Sequence, residues 1–286
     1  MFVIDGKSIA DKVKDEIVAE TIKIAEAGST RPNLAIVLVG EREDSKLYVD
    51  LKQKEAFKVG IDTYLYKFAE DASEEEILEA VGFLNIDPEI DAILIQLPLP
   101  EHLNTEKILE KLDSEKDADG FLKDKPDFVL SPVIASIFRI LAEIAFEPTG
   151  KKACVLHNSE IFGDTVKESL AEFDLNVTAV SLKDFSSKTP EEQKKLFLKA
   201  QKACLSADLI ISALGLPGFI DETFVNDKEV IIDIGISKVD GKTKGDADFE
   251  SLSKKNVWLT PVPGGVGPMT IAMLFKNVLA IYNHKK

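Results

Sequence analysis

The sequence predicts an α/β fold in two domains, each built on a parallel sheet wound with helices. Apolar runs of strand length recur along the chain (Leu34–Val39, Asp91–Gln96, Ala153–Leu156, Leu209–Ala213, Val230–Ile234), and segments of helical period separate them. Such near-continuous apolar runs suit strands covered on both faces, as in parallel sheets. The rhythm breaks over Asp119–Pro132, which holds a glycine, two prolines and several charges. We place a domain crossing there. Residues 1–128 form the first domain, completed by the C-terminal segment 266–286. Residues 129–265 form a second, Rossmann-like, doubly wound domain. A chain of 286 residues suits two domains of ordinary size.

Taken in order, Lys7–Ala27 carries Ile9, Val13, Ile17 and Ile24 at roughly helical spacing and is ended by Gly28. Leu34–Val39 is the first buried strand. Asp44–Val59 reads as a helix stopped by Gly60, and Thr63–Tyr66 as a second strand. Ser73 opens a helix, with Glu76 placed to complete a capping box. Asp91–Gln96 is a strand halted by Pro98 and Pro100, followed by a helix over Glu106–Leu112. Beyond the crossing, Ile134–Ala145 is an apolar helix, Ala153–Leu156 a strand, Thr165–Phe173 a helix and Val177–Val180 a strand. Pro190–Cys204 is a charged amphipathic helix. Leu209–Ala213, Val230–Ile234 and Val257–Leu259 are the remaining strands. The final helix, Thr270–Tyr282, is apolar on more than one side and is expected to pack back on the first domain.

Composition excludes several classes. A net charge of −15 opposes a nucleic-acid partner, because a phosphate backbone needs a basic face. No run approaches the ~18 uninterrupted apolar residues of a membrane helix, and the first residues lack the basic-then-apolar pattern of a secretory leader. A cytoplasmic protein with no membrane partner is expected. Cys154 and Cys204 are too few for a disulfide framework or a zinc cage and read as buried thiols. His102, His157 and His284 have no ligand spacing, so no metal is expected.

Four stretches carry chemistry. Tyr48 and Lys52 stand at i and i+4 and share a helix face. An aromatic ring beside an amine can stack a flat substrate while the amine moves protons. The plain alternative is a solvated lysine beside a half-buried tyrosine. Gln96 ends an apolar strand, at the edge where open α/β sheets bind ligands, and its amide could hold Lys52. In Lys116-Asp117-Ala118-Asp119-Gly120-Phe121 the acids are either turn chemistry or acceptors for the edge of an amidine-like heterocycle. Thr260–Thr270 packs three glycines and three prolines into eleven residues and runs into a helix N-terminus. That density predicts a fixed-shape loop whose backbone approaches a ligand closely.

These stretches together resemble the bifunctional methylenetetrahydrofolate dehydrogenase/methenyltetrahydrofolate cyclohydrolases, the FolD proteins. The resemblance runs over nearly the whole chain. It takes in Ile4-Asp5-Gly6-Lys7, the Tyr48/Lys52 pair, Gln96-Leu97-Pro98-Leu99-Pro100, Lys116–Phe121, Gly215–Ile220, Ile232–Ile236, Gly245–Phe249 and Pro263–Thr270. It implies a folate-binding catalytic domain and an NADP-binding domain, tetrahydrofolate derivatives as substrates, and a homodimer. It also implies oxidation of a methylene bridge by hydride transfer to NADP, then hydrolysis of the methenyl cation. By the resemblance, Lys52 transfers protons, Gln96 orients it, Tyr48 stacks on the folate ring and Asp119 binds the pterin edge. Ile95 and Leu97 flank Gln96 in the substrate site. Pro263, Gly264, Gly265, Val266, Gly267, Pro268 and Thr270 wall it.

The cofactor half departs from the family pattern. After Ala153–Leu156 the family has Gly-(Arg or Ala)-Ser-x-x-Val-Gly-x-Pro; this chain has His157-Asn158-Ser159-Glu160-Ile161-Phe162-Gly163-Asp164-Thr165. Ser159 and Gly163 remain. The bulk of His157 and the charges of Glu160 and Asp164 each oppose an anionic dinucleotide at a helix N-terminus. His157 reads as a loop residue without a role, as a filler of an unused nucleotide pocket, or as a catalytic histidine. Candidate cofactor contacts are His157, Asn158, Ser159, Gly163, Ser181 and Ile236. Lys183 or Lys188 suits a 2′-phosphate, and Asp184 a ribose diol. Cyclohydrolase activity is expected, with NADP-dependent oxidation weakened or lost and NAD or no cofactor as alternatives. An inert folate-binding or regulatory protein is the second reading.

Overall fold

A computed structural model describes residues 1–122 and 126–285. The expected crossing over Asp119–Pro132 includes residues 123–125, and the C-terminal segment includes residue 286; these lie outside the described residues. The elements, in order, are β1 (Phe2–Val3), α1 (Gly6–Glu26), β2 (Asn33–Val39), α2 (Glu43–Lys58), β3 (Asp62–Phe68), α3 (Glu74–Ile86), β4 (Ala92–Ile95), α4 (Thr105–Glu110), α5 (Pro132–Glu143), β5 (Lys152–His157), α6 (Glu160–Glu172), β6 (Asn176–Ser181), α7 (Pro190–Cys204), β7 (Leu209–Ala213), β8 (Val230–Asp233), β9 (Ser237–Val239), β10 (Lys242–Lys244), α8 (Phe249–Leu252), β11 (Trp258–Leu259) and α9 (Val266–His284).

Two compact units result. One holds Ala10–Ala135 with Thr270–Lys286, the other Met1–Ile9 with Ser136–Met269. Residues 1–9, expected with the first domain, therefore join the second. The reason is β1: Phe2 pairs with Trp258 and Val3 with Leu259, so the start of the chain is the edge strand of the larger sheet.

The first unit is built on a parallel sheet in the order β3-β2-β4. Every residue of β2 is buried, as its continuous apolar run requires. Residues 116–118 run beside β4: Ile93 N–H donates to Lys116 O (2.7 Å) and Ala118 N–H to Ile93 O (3.1 Å). Val37, Ile93 and Ile95 pack with Ile77, Val81, Leu84 and Ile108 from α3 and α4. Each such side chain contributes roughly 1.5–3 kcal/mol by leaving water. The capping box is present: Glu76 N–H donates to Ser73 Oγ and Ser73 N–H to Glu76 Oε2. The end of α9 belongs here, with Tyr282 O–H donating to Thr30 O (2.5 Å) and Asn277 Nδ2 to Ala118 O and Leu130 O.

The second unit holds the six-stranded parallel sheet β1-β11-β8-β7-β5-β6. On one face Leu156, Ile210 and Ile231 meet Cys204, Phe224 and Leu252. Both cysteines are buried free thiols. β5 has β6 on one side and β7 on the other, which makes the β5/β7 edge the point where the winding reverses.

Two helices begin earlier than their apolar pattern suggests. α6 starts at Glu160, not Thr165, because Ser159 caps it through Phe162 N–H. α9 starts at Val266, not Thr270, so nearly half of the expected Thr260–Thr270 loop is helical. The antiparallel β9/β10 hairpin has too few residues for its pattern to be read from sequence.

Candidate active site

The site residues of the first unit stand on three neighbouring elements. α2 carries Tyr48, 47% exposed and available to stack, and, one turn on, the half-buried Lys52. β4 delivers Gln96 at its carboxyl end, fixed by its N–H donating to Val37 O (2.9 Å). Lys52 Nζ donates to Gln96 Oε1 (3.0 Å), and Gln96 Nε2 donates to Leu97 O (2.7 Å). The glutamine is thereby locked with its carbonyl toward the amine, as the sequence suggested. Ile95 is buried in the core and has no side-chain surface for a ligand, while Leu97 packs on the same core from its margin.

Asp119 is set by its neighbours. The buried Asp117 accepts hydrogen bonds from Asp119 N–H (3.1 Å), Gly120 N–H (3.0 Å) and Leu122 N–H (3.0 Å). Gly120, at φ +62°, lets the chain turn there. Lys116 reaches back to Leu84 O and Asp87 O. Asp117 is therefore turn chemistry, and no hydrogen bond to the Asp119 carboxylate is found among the described residues.

Burial shifts both reactive groups. Desolvation pulls the Lys52 ammonium below its usual value, with Asp119 opposing. Desolvation pushes the Asp119 carboxyl up to about 6, with Lys52 opposing and Asp117 adding. The two charges thus sit close enough to influence each other.

In the second unit the turn after β5 is organised differently from expectation. The His157 side chain is 3% exposed. A Cβ on Gly163 would stand 2.5 Å from its ring. The imidazole lies beneath the first turn of α6, in space that exists because residue 163 is glycine, and the outward face of the turn is left to Asn158, Ser159 and Glu160. The ring neither crowds that outward face nor has a hydrogen-bond partner at Nδ1 among the described residues. Asn158 Nδ2 donates to Leu214 O (2.8 Å), and Ser237 Oγ to Gly215 O (3.1 Å), joining the ends of β5, β7 and β8. Ser181 ends β6 and Ile236 is 53% exposed beyond β8.

The glycine-rich stretch is close-packed for a structural reason. A Cβ on Gly265 would stand 2.5 Å from Pro261 O, and one on Gly6 would strike Gly265 O. Gly265 allows one backbone segment to approach another closely. Gly264 has φ +104° and its carbonyl accepts from Lys7 N–H (3.0 Å). Pro263 and Gly267 are exposed, and Val266, Gly267, Pro268 and Thr270 lie within α9.

Sequence reasoning missed the buried pair Asp233 and Asp246. Asp246 accepts from Ser212 Oγ–H (2.8 Å), Leu214 N–H (2.7 Å) and Leu216 N–H (2.8 Å). Asp233 accepts from Gly235 N–H (2.9 Å) and Ala247 N–H (2.8 Å). Burial pushes the Asp233 carboxyl up to about 7. Together they tie three strand-end loops. The signal was there as an acid at a strand end followed two residues on by glycine, Asp233-Ile234-Gly235. Among the described residues no group of three or more His, Cys, Asp or Glu is placed to hold a metal, and no helix is long and apolar enough to cross a membrane.

Comparison with known proteins agrees with this geometry. Residues 4–119 match the model for the tetrahydrofolate dehydrogenase/cyclohydrolase catalytic domain, and residues 132–286 that for the NAD(P)-binding domain of the same family. The bifunctional protein FolD of Sulfurihydrogenibium sp. (strain YO3AOP1) is 38% identical over 296 residues, covering 100% of this chain and 99% of that protein. That of Geotalea uraniireducens (strain Rf4) is 40% identical over 287 residues, 97% of each. The crystal structure of the bifunctional FolD enzyme from Campylobacter jejuni superposes with a TM-score of 0.91 at 32% identity over 100% of both chains. The Trypanosoma brucei enzyme, solved with NADP and an inhibitor, gives 0.88 at 30%, covering 100% of this chain and 98% of that one. The chain belongs to the tetrahydrofolate dehydrogenase/cyclohydrolase family.

Proposed function

We propose that the protein interconverts one-carbon tetrahydrofolates. It oxidises 5,10-methylenetetrahydrofolate with NADP and hydrolyses the resulting 5,10-methenyl compound to 10-formyltetrahydrofolate. The observation that carries this reading is the Lys52–Gln96 hydrogen bond beside Asp119, within residues matched by the family's catalytic-domain model. An inert folate-binding protein would have no use for an oriented, desolvated amine.

The chemistry follows from these groups. The methenyl carbon is already cationic, so attack by water needs proton removal more than a strong base. Burial brings Lys52 nearer the working pH, where general acid–base catalysis contributes roughly 10²–10⁴-fold. Gln96 holds the amine in one place, Tyr48 offers a ring for stacking, and Asp119 offers a carboxylate for the donor edge of the pterin.

The second unit fits a dinucleotide. Its β5/β7 switch point carries an exposed turn, an anchored Asn158, and Gly215 at φ +66° with no atom closer than 3.9 Å to where a Cβ would be. Asn158, Ser159, Gly215, Ser181 and Ile236 would hold it. When bound, the nicotinamide accepts the hydride. The weakening expected from His157 loses its basis, because the ring is buried away from the turn's outer face.

Pairing of two copies and a cytoplasmic location complete the reading and rest on the family resemblance; light scattering on the purified chain gives the mass. The test of function is hydrolysis of the methenyl compound by Lys52→Met. Loss of hydrolysis in a folded variant supports the assignment of Lys52, and retained hydrolysis overturns it.

A further inference from the structure

We propose that Glu160 sets nucleotide selectivity: it loosens the hold on the 2′-phosphate of NADP, the cofactor of the proposed reaction, and so narrows the margin of NADP over NAD, whose ribose keeps a free 2′-hydroxyl. The inference rests on the reading that the β5/β7 edge is the cofactor site. In a βαβ unit of this kind the adenosine ribose lies against the end of the second strand, about twenty residues past the first turn. A carboxylate there accepts the 2′-hydroxyl, whereas a basic group accommodates a 2′-phosphate. In this chain the second strand, β6, ends in the neutral Ser181.

The carboxylate comes instead from α6. Ser181 Oγ–H donates to Glu160 Oε1 at 2.6 Å, across 21 residues of sequence. Lys183 N–H donates to Ser181 Oγ (3.4 Å), so the hydroxyl is held between the two. Glu160 is exposed, and among the described residues no lysine or arginine is paired with it. Asp164, one turn along the same helix face, adds charge of the same sign. A phosphate monoester brings about −1.5 to −2 further charge at neutral pH, which this arrangement repels. A ribose hydroxyl brings none and can donate to Glu160. The arrangement disfavours one ligand rather than only welcoming the other.

The experiment is calorimetric titration of the full chain and Glu160→Gln with NADP and with NAD, at low and at physiological salt. A thermal melt establishes that both are folded. The expected result is that the variant binds NADP about tenfold more tightly, the scale of one charge contact near a protein surface, and NAD no more tightly. The gain shrinks as salt rises, because screening acts on exposed charges. An equal shift for both nucleotides, no shift, or weaker NADP binding overturns the role of Glu160. If neither protein binds either nucleotide, the reading of this edge as the cofactor site fails, and the inference with it.

Discussion

The imidazole of His157 occupies the space that Gly163 leaves by having no side chain. The two residues are six positions apart, one ending β5 and the other in the first turns of α6, and each permits the other. A methyl group on Gly163 must displace the ring or lift the helix. We expect Gly163→Ala to cost about 1–3 kcal/mol, the range for overpacking a tight core. The double variant His157→Gly/Gly163→Ala should recover most of that loss. Urea unfolding of the two single variants and the double gives the coupling; additive costs would show that the residues do not compete for one space.

That pair also marks where the sequence was legible and where it was not. Strands such as Asn33–Val39 and Leu209–Ala213 were readable because continuous apolar runs have one economical home, a sheet covered on both faces. Lys52 and Gln96 were readable because helical spacing and a strand end each dictate a position. The direction of the His157 side chain was not. A histidine after a strand is compatible with either face, and only the absence of a Cβ six residues later decides it. In Thr260–Thr270 glycine density signals close approach but not what approaches, and at Gly265 the backbone of Gly6 and Pro261 comes close. Asp233 and Asp246 went unread because all but one of the donors named above, the Ser212 hydroxyl, are backbone N–H groups, which carry no residue identity.

The Lys52–Asp119 interaction makes a pH prediction. Burial lowers the Lys52 pKa, and the Asp119 charge holds it up. Removing that charge in Asp119→Asn lowers it further. Since the neutral amine takes the proton, activity rises as Lys52 deprotonates. The acid limb of kcat for methenyl hydrolysis should therefore move to lower pH in Asp119→Asn, while KM for the folate rises. A limb that stays put or moves up would separate Lys52 from the titration.

Glu229 gives a stability prediction of defined sign. The residue is 5% exposed, with Oε1 accepting from Asn226 Nδ2 and Oε2 without a partner among the described residues. Burial pushes it up to about 7 from an ordinary 4.5. Between those values the folded state holds a proton that the unfolded state has lost, so stability falls as pH rises through the window. Asp233 and Asp119 push the same way, so the comparison with a variant isolates Glu229. Glu229→Gln should gain on the parent protein from pH 5 to pH 8 in urea unfolding. A constant difference across that range would show that Glu229 does not titrate there.

Asn277 tests whether the C-terminal helix shapes the folate site. It lies far along the chain, yet its Nδ2 donates to Ala118 O (2.9 Å) and Leu130 O (2.7 Å). Ala118 O belongs to the peptide that leads into Asp119, so the helix holds the acid's own backbone. Asn277→Leu keeps the volume and removes both donors. Each buried carbonyl left unpaired costs about 1–3 kcal/mol, so thermal stability drops. If the anchor also fixes Asp119, KM for the folate should rise by roughly an order of magnitude, because small displacements of a positioning group are costly. The dissociation constant for NADP, measured by calorimetry, should stay unchanged, since the β5/β7 turn belongs to the other unit. Loss of stability with unchanged KM would reduce Asn277 to packing, whereas a selective rise in KM in folded protein makes it a positioning residue for the Asp119 turn.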